Sequence, residues 1–196
     1  MRLGREKALE RINDQSLIER VIDCLAPISY EILVITSEEQ FKFIDTASLK
    51  ARVIVDFYPG KGALAGIYTG LKSADSFYSL VVGCDMPFLN YALLNYLIDL
   101  VPSYDAVVPK IDDMLEPLHA IYSKNCLAPI DKLLHQDKLQ ITQLFALVKP
   151  RYVGQDEIAK FDPENLSFFN INTQDDLTRA EAMIDKAQRV TPCREK

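Results

Sequence analysis

Tryptophan is absent from these 196 residues, and glycine (7), cysteine (4) and histidine (2) are sparse. No unbroken apolar run approaches the ~20 residues that a membrane-spanning helix needs. Cys24, Cys84, Cys126 and Cys193 lie far apart, without metal-ligand or redox spacing, and neither His119 nor His135 has a second ligand nearby in sequence. A structural zinc site is therefore not expected. The opening Met1-Arg2-Leu3-Gly4-Arg5-Glu6-Lys7 lacks the apolar centre of a signal peptide. These absences predict a reduced, cytoplasmic protein that does not enter a membrane. Positive charge is also in deficit: Lys and Arg number 22 against 28 Asp and Glu, a formal net charge of −6. That balance argues against a protein that grips a nucleic-acid backbone, while a local basic pocket for a small phosphorylated ligand is compatible with it.

What is present suits an ordinary folded domain, 48% hydrophobic and 26% charged. Short β-branched runs predict strands over Glu31–Thr36, Arg52–Val55, Ser79–Gly83, Ala106–Pro109 and Leu118–Ser123. Val53-Ile54-Val55 and Leu80-Val81-Val82 are continuously apolar, the pattern of strands covered on both faces. Helical patterns separate them. Ser16-x-x-Glu19 and Thr173-x-x-Asp176 read as capping boxes, and Asn90 and Asn125 as caps. Alternating strands and helices predict an α/β fold with three Rossmann-like layers, a mostly parallel sheet with helices on both faces. One domain over residues 1–189 is expected, with a last helix from about Gln174 to Arg189 and a polar tail over residues 190–196. Ligands of such folds sit at the carboxyl ends of the strands.

Four segments could carry chemistry there. Gly60, Gly62, Gly66 and Gly70 follow Asp56 and open a helix; either the loop admits an anion to free N–H groups, or it is a turn followed by tight helix packing. Asp56 itself could cap that turn. Asp85 stands at the end of an apolar strand before Pro87, where it is either a hard oxygen ligand for Mg²⁺ or an Asp turn. Lys7 could place a point charge on a phosphate or be an ordinary surface lysine. Asn170 and Asn172 share one side of an extended stretch, and Asn172 alone would read as part of a helix entry. The Glu116-Pro117-Leu118-His119 run opens a strand, with His119 read as packed.

In order, Arg2-Leu3-Gly4-Arg5-Glu6-Lys7, Gly60-Lys61-Gly62-Ala63-Leu64-Ala65-Gly66, Cys84-Asp85-Met86-Pro87-Phe88, Glu116-Pro117-Leu118 and Asn170-Ile171-Asn172-Thr173 resemble the molybdenum cofactor guanylyltransferases. The resemblance runs from Met1 to the last helix. It implies the nucleotide-diphospho-sugar transferase-like fold and transfer of GMP from GTP to molybdenum-molybdopterin, with Mg²⁺ as cofactor. It also implies contact with a molybdoenzyme or a delivery protein. By resemblance Lys7 contacts the nucleotide phosphates, Asp56 contacts the nucleotide, Asp85 holds the metal, and Asn170 and Asn172 approach the pterin or the metal-bound phosphates. Gly60 and Gly62 belong to the nucleotide site. The family pattern opens with an apolar strand and a Leu-Ala-Gly-Gly loop, and this sequence starts inside the motif that follows them. A sheet without its first strand is expected, with roughly 15 residues upstream, and with unpaired backbone on two neighbouring strands. Cytidylyl transfer to the same pterin, nucleotidyl transfer to another phosphorylated acceptor, and a non-catalytic binding protein of this fold are the alternatives.

Overall fold

In the computed structural model residues 10–190 are described. Lys7 and the tail beyond Val190 lie outside them. A two-residue hairpin, β1 (Arg11–Ile12) and β2 (Gln15–Ser16), leads straight into α1 (Leu17–Leu25). The helix starts where the sequence predicts. Ser16 Oγ accepts from the Glu19 N–H, and the Glu19 carboxylate accepts from the Ser16 N–H at 2.8 Å. That reciprocal cap also holds the Glu19 carboxyl below its ordinary range, chiefly through the Ser16 hydroxyl. The apolar face expected for α1 is buried, with Leu17 and Ile18 inside and Val21, Ile22 and Leu25 beneath them.

The sheet is mixed. β3 (Leu33–Thr36) pairs in parallel with β4 (Arg52–Val55), with Val34 opposite Val53. The short α2 (Glu38–Phe41) and a long loop connect them. From β4 the chain crosses through α3 (Ala63–Ser73) to β5 (Tyr78–Val82). After α4 (Tyr91–Asp99), β6 (Ala106–Ile111), β7 (Met114–Leu115) and β8 (His119–Ser123) complete a second sheet with β5. β5–β8, β8–β6 and β6–β7 are antiparallel. β9 (Pro150–Val153), reached through α5 (Leu127–His135), runs parallel to β6. α6 (Gln155–Ile158) and α7 (Gln174–Val190) close the described chain. Helices lie on both faces, as the alternating pattern predicts.

Two local expectations resolve differently. Asn90 caps α4 by accepting from the Leu93 N–H at 3.0 Å. Asn125 caps nothing: it lies in a 3₁₀ turn, and its amide donates to the Asp105 carboxylate, which also accepts from the Lys149 N–H. Asp105 draws both donors because it stands at the start of β6, where two chain crossings converge. The gap in the sheet that the resemblance implies is present. Among the described residues nothing pairs with the second edge of β3 or of β5, and the layer is split there.

His119 is fully buried on β8, as its apolar context predicts. Burial pushes its pKa down to about 4, against the pull of the Asp162 carboxylate and the Ser167 backbone. The folded ring is therefore neutral, while the unfolded ring protonates near its ordinary 6.5. Stability due to this group is fully present above pH 6.5 and declines as the pH falls towards 4, by about 3 kcal/mol in all. Between pH 7 and 4 the melting temperature of the wild type is expected to fall relative to that of His119→Leu; parallel curves would remove His119 from the acid sensitivity.

Candidate functional site

The carboxyl end of β4 delivers Asp56. Its Oδ1 accepts from the Tyr58 N–H at 3.1 Å, so Asp56 does cap the turn that follows. The same oxygen accepts from the Thr69 hydroxyl at 2.7 Å, and Thr69 Oγ1 accepts in turn from the Phe57 N–H. Thr69 is fully buried on α3, so the helix fixes the carboxylate through Oδ1. Sequence reading missed Thr69; its signal was a lone hydroxyl on an otherwise apolar helix face.

Beyond the turn, Gly60 and Gly62 have φ of +79° and +70°, a left-handed backbone that a side chain would strain. Both are exposed, and nothing lies within 4 Å of where a Cβ would be. Gly62 is the residue before α3, and no side chain caps that helix. Its first N–H groups and the positive end of its dipole thus open onto solvent at the strand ends, a suitable place for a phosphate. Gly66 and Gly70, by contrast, serve packing: Cβ atoms there would stand 4.0 and 3.7 Å from Ile35 of β3. The packing reading therefore holds at Gly66 and Gly70, while Gly60 and Gly62 form an open turn ahead of the helix. Lys61 between the glycines is held at 2.6 Å by Asp137, which directs its charge towards the end of α5.

Asp85 stands three residues past β5, at the same end of the layer as Asp56 because β4, α3 and β5 form one crossover unit. Its carboxylate folds back over Gly83: Oδ1 would lie 2.6 Å from a Cβ at that position. Among the described residues no group donates to this carboxylate or pairs with it. A half-exposed, unpaired carboxylate suits a hard divalent cation whose remaining ligands are phosphate oxygens and water. No cluster of three His, Cys, Asp or Glu side chains exists among the described residues, so any cation here would share its coordination with a ligand.

The late asparagines come to the same place through the backbone. The Ile171 N–H donates to the Asp85 carbonyl at 2.9 Å, which ties Asn170 and Asn172 to the Asp85 turn. Asn170 donates from Nδ2 to the Phe168 carbonyl at 3.3 Å. Asn172 is exposed and leads into α7; its N–H donates to the Asp176 carboxylate, which also accepts from the Thr173 N–H at 2.9 Å. These donors, the Thr173 hydroxyl first, keep the Asp176 carboxyl below its ordinary range. The helix-entry reading of Asn172 therefore holds, and the entry lies beside Asp85. Across the sheet the Gly83 N–H donates to Leu118 O at 2.9 Å, and burial pushes the carboxyl of Glu116, two residues before Leu118, up.

An open helix N-terminus, two strand-end carboxylates and a pair of asparagines stand at one edge of a three-layer fold, a candidate site for a phosphate ester. Residues 1–150 match the family of MobA-like NTP transferase domains, and the chain belongs to that family, the nucleotidyltransferases of molybdenum cofactor biosynthesis. A molybdenum cofactor guanylyltransferase of Desulfosudis oleivorans is 32% identical over 189 residues, 96% of this chain and 91% of the relative. The crystal structure of molybdopterin-guanine dinucleotide biosynthesis protein A from Archaeoglobus fulgidus superposes with a TM-score of 0.81 at 29% identity, covering 94% of this chain and 95% of that one. The 2-C-methyl-D-erythritol 4-phosphate cytidylyltransferase of Thermus thermophilus, at 17% identity and a TM-score of 0.69, shares the fold.

Gly83→Ala tests the geometry around Asp85. The new methyl would swing the carboxylate aside, so turnover is expected to fall about tenfold, near 1.4 kcal/mol on the barrier. Because only a mobile side-chain end must move, stability should change by less than about 1 kcal/mol. Unchanged turnover, measured beside an unchanged melting curve, would separate the Asp85 orientation from activity.

Proposed function

We propose that the chain transfers GMP from GTP to molybdenum-molybdopterin, forming the guanine dinucleotide cofactor and pyrophosphate. The observation that carries this reading is the Ile171 N–H to Asp85 C=O bond, which sets the two asparagines beside the carboxylate at the strand ends. Family membership and the printed activity of the Desulfosudis relative support it.

In this reading a phosphate oxygen of the molybdopterin attacks the α-phosphorus of GTP. One P–O bond forms, the bond to the leaving pyrophosphate breaks, and no side chain is acylated or phosphorylated. The work left to the protein is alignment and charge neutralisation. The N–H groups around Gly60 and Gly62 and the start of α3 hold nucleotide phosphates, and Asp56, steadied by Thr69, contacts the nucleotide. Lys7, outside the described residues, contributes an ammonium to the phosphates. Asp85 is the residue that would hold Mg²⁺; when bound, the ion supplies positive charge against the α-phosphate and the departing pyrophosphate. Asn170 and Asn172 orient the acceptor or the phosphates by donating from their amides. The reading includes one domain over residues 1–189 and a cytoplasmic setting; no described helix is long and apolar enough to cross a membrane.

Pyrophosphate release from GTP, dependent on both molybdenum-molybdopterin and a divalent cation, is the direct assay. GTP is expected to be used in preference to CTP, and Asp85→Asn should lower turnover at least about a hundredfold, roughly 3 kcal/mol. Preference for CTP would reassign the base, and an Asp85→Asn variant of near-normal activity would remove that residue from the metal site.

A further inference from the structure

Two side chains of the glycine loop reach across to α5, and they are held very differently. Tyr58 is fixed on three sides. Its hydroxyl donates to Asp131 Oδ1 at 2.9 Å, and its ring stands edge-on to Tyr68 at 5.4 Å and to His135 at 6.1 Å. The Lys61 ammonium is held by the Asp137 carboxylate alone among the described residues, at 2.6 Å. The Lys61 N–H is used inside the loop, on Tyr58 O at 3.2 Å, so the side chain is what this residue offers outside it.

The pair is open to water: the Asp137 side chain is 74% exposed and that of Lys61 34%. An ion pair of this kind shifts an equilibrium by no more than about fivefold. A charge-assisted hydrogen bond to a phosphate oxygen is worth roughly tenfold or more. The ammonium therefore gains by exchanging the first partner for the second, and Asp137 loses little when it is left in solvent. No movement of the loop is required, because Tyr58 holds its start to Asp131 while the flexible lysine stem turns.

The backbone places both partners within reach of that stem. Lys61 stands between Gly60 and Gly62, two residues and at most about 7 Å of chain before the first residue of α3. Asp137 follows the end of α5 at φ 57°, where its N–H donates to Leu134 O at 3.2 Å and the Lys138 N–H donates to Leu133 O at 2.9 Å. Glycine or asparagine is the usual residue in such a left-handed turn. An aspartate there adds a charge that the turn itself does not require. We infer that Lys61 is a phosphate-contacting residue of the nucleotide site, and that Asp137 competes with the triphosphate for its ammonium. This rests on the nucleotidyl-transfer reading and adds to it a pair of residues that sets how tightly the nucleotide is held.

If the pair were only a tether that keeps the loop in shape, removing either partner would weaken nucleotide binding; under the competition the two removals have opposite signs. Calorimetric titration of GTP and Mg²⁺ into the full 196-residue chain, Lys61→Ala, Asp137→Asn and the double variant separates the two roles. Asparagine suits the left-handed turn and the ion pair is exposed, so all four proteins should melt alike. Lys61→Ala is expected to bind GTP about tenfold more weakly, and Asp137→Asn about threefold more tightly. In the Lys61→Ala background, Asp137→Asn should change nothing. Weaker binding in both single variants, or unchanged binding in Lys61→Ala, would overturn the inference and leave the nucleotide reading standing. So would tightening by Asp137→Asn that persists without Lys61, since Asp137 would then act on the nucleotide by its charge alone. A chain that binds no GTP in any of the four forms would overturn the nucleotide reading and the inference together.

Discussion

Helix α3 is the part on which the remainder of the molecule depends. With no described strand bridging β3 and β5, the two pieces of sheet are held in one layer by the helices that span the gap, and α3 is the covalent crossover between them. It can lie close to β3 because Gly66 and Gly70 present no side chain to Ile35. Its opposite side joins the large core cluster through Leu64, Ile67 and Leu71, which pack with α5 and β8 residues. The same helix begins at the exposed glycine loop and reaches back through Thr69 to Asp56. Packing and site geometry are therefore one constraint: a shift of α3 would move the phosphate opening, the Asp56 carboxylate and the register of the two sheet pieces together.

An acidic chain that handles a polyanion needs positive potential without a large basic surface. In the proposed reading the described part of the site meets that need with backbone N–H groups at a helix start and a carboxylate that would hold a cation, rather than with a surface rich in lysine and arginine. Lys61, which is the nearest cation in sequence to the loop, is engaged with Asp137. The opposite rim is built from helix and strand ends as well. Ser167 Oγ accepts from the Asn90 N–H, Asp162 accepts from the Leu166 and Ser167 N–H groups, and Ile171 then bonds to Asp85. This run of short local bonds carries the asparagine segment across the sheet to the Asp85 turn.

Much of this was legible because the signals were local. Ser16, Asn90 and Thr173 begin helices as their spacing predicts, and the β-branched runs are strands within one or two residues. Candidate site residues gathered because strand ends of parallel crossovers share an edge. What escaped was set by tertiary contacts or by unusual turn chemistry. The β6–β7 hairpin turns through Asp112 and Asp113, both at positive φ (46° and 66°), a two-residue turn for which Asn-Gly or Asp-Gly would have been the recognisable signal. The β1–β2 turn uses Asn13 at φ 54° in the same way. Asn125 resembled a cap until Asp105, twenty residues away, competed for its amide. Gly83 looked like the end of a strand; its need to be glycine arises only from the Asp85 carboxylate folded over it. Among the described residues the expected gap between β3 and β5 is present.

The central claim is that Asp85 and the Asn170–Asn172 segment form one side of a nucleotide-phosphate and cation site whose other side is the Gly60–Gly62 loop. A crystal structure grown with GTP and Mn²⁺, read by the anomalous signal of the metal, addresses it most directly. The account predicts a manganese peak bonded to the Asp85 carboxylate, with the triphosphate lying between that turn and the start of α3. A peak elsewhere, with Asp85 facing solvent and the triphosphate away from α3, would contradict it.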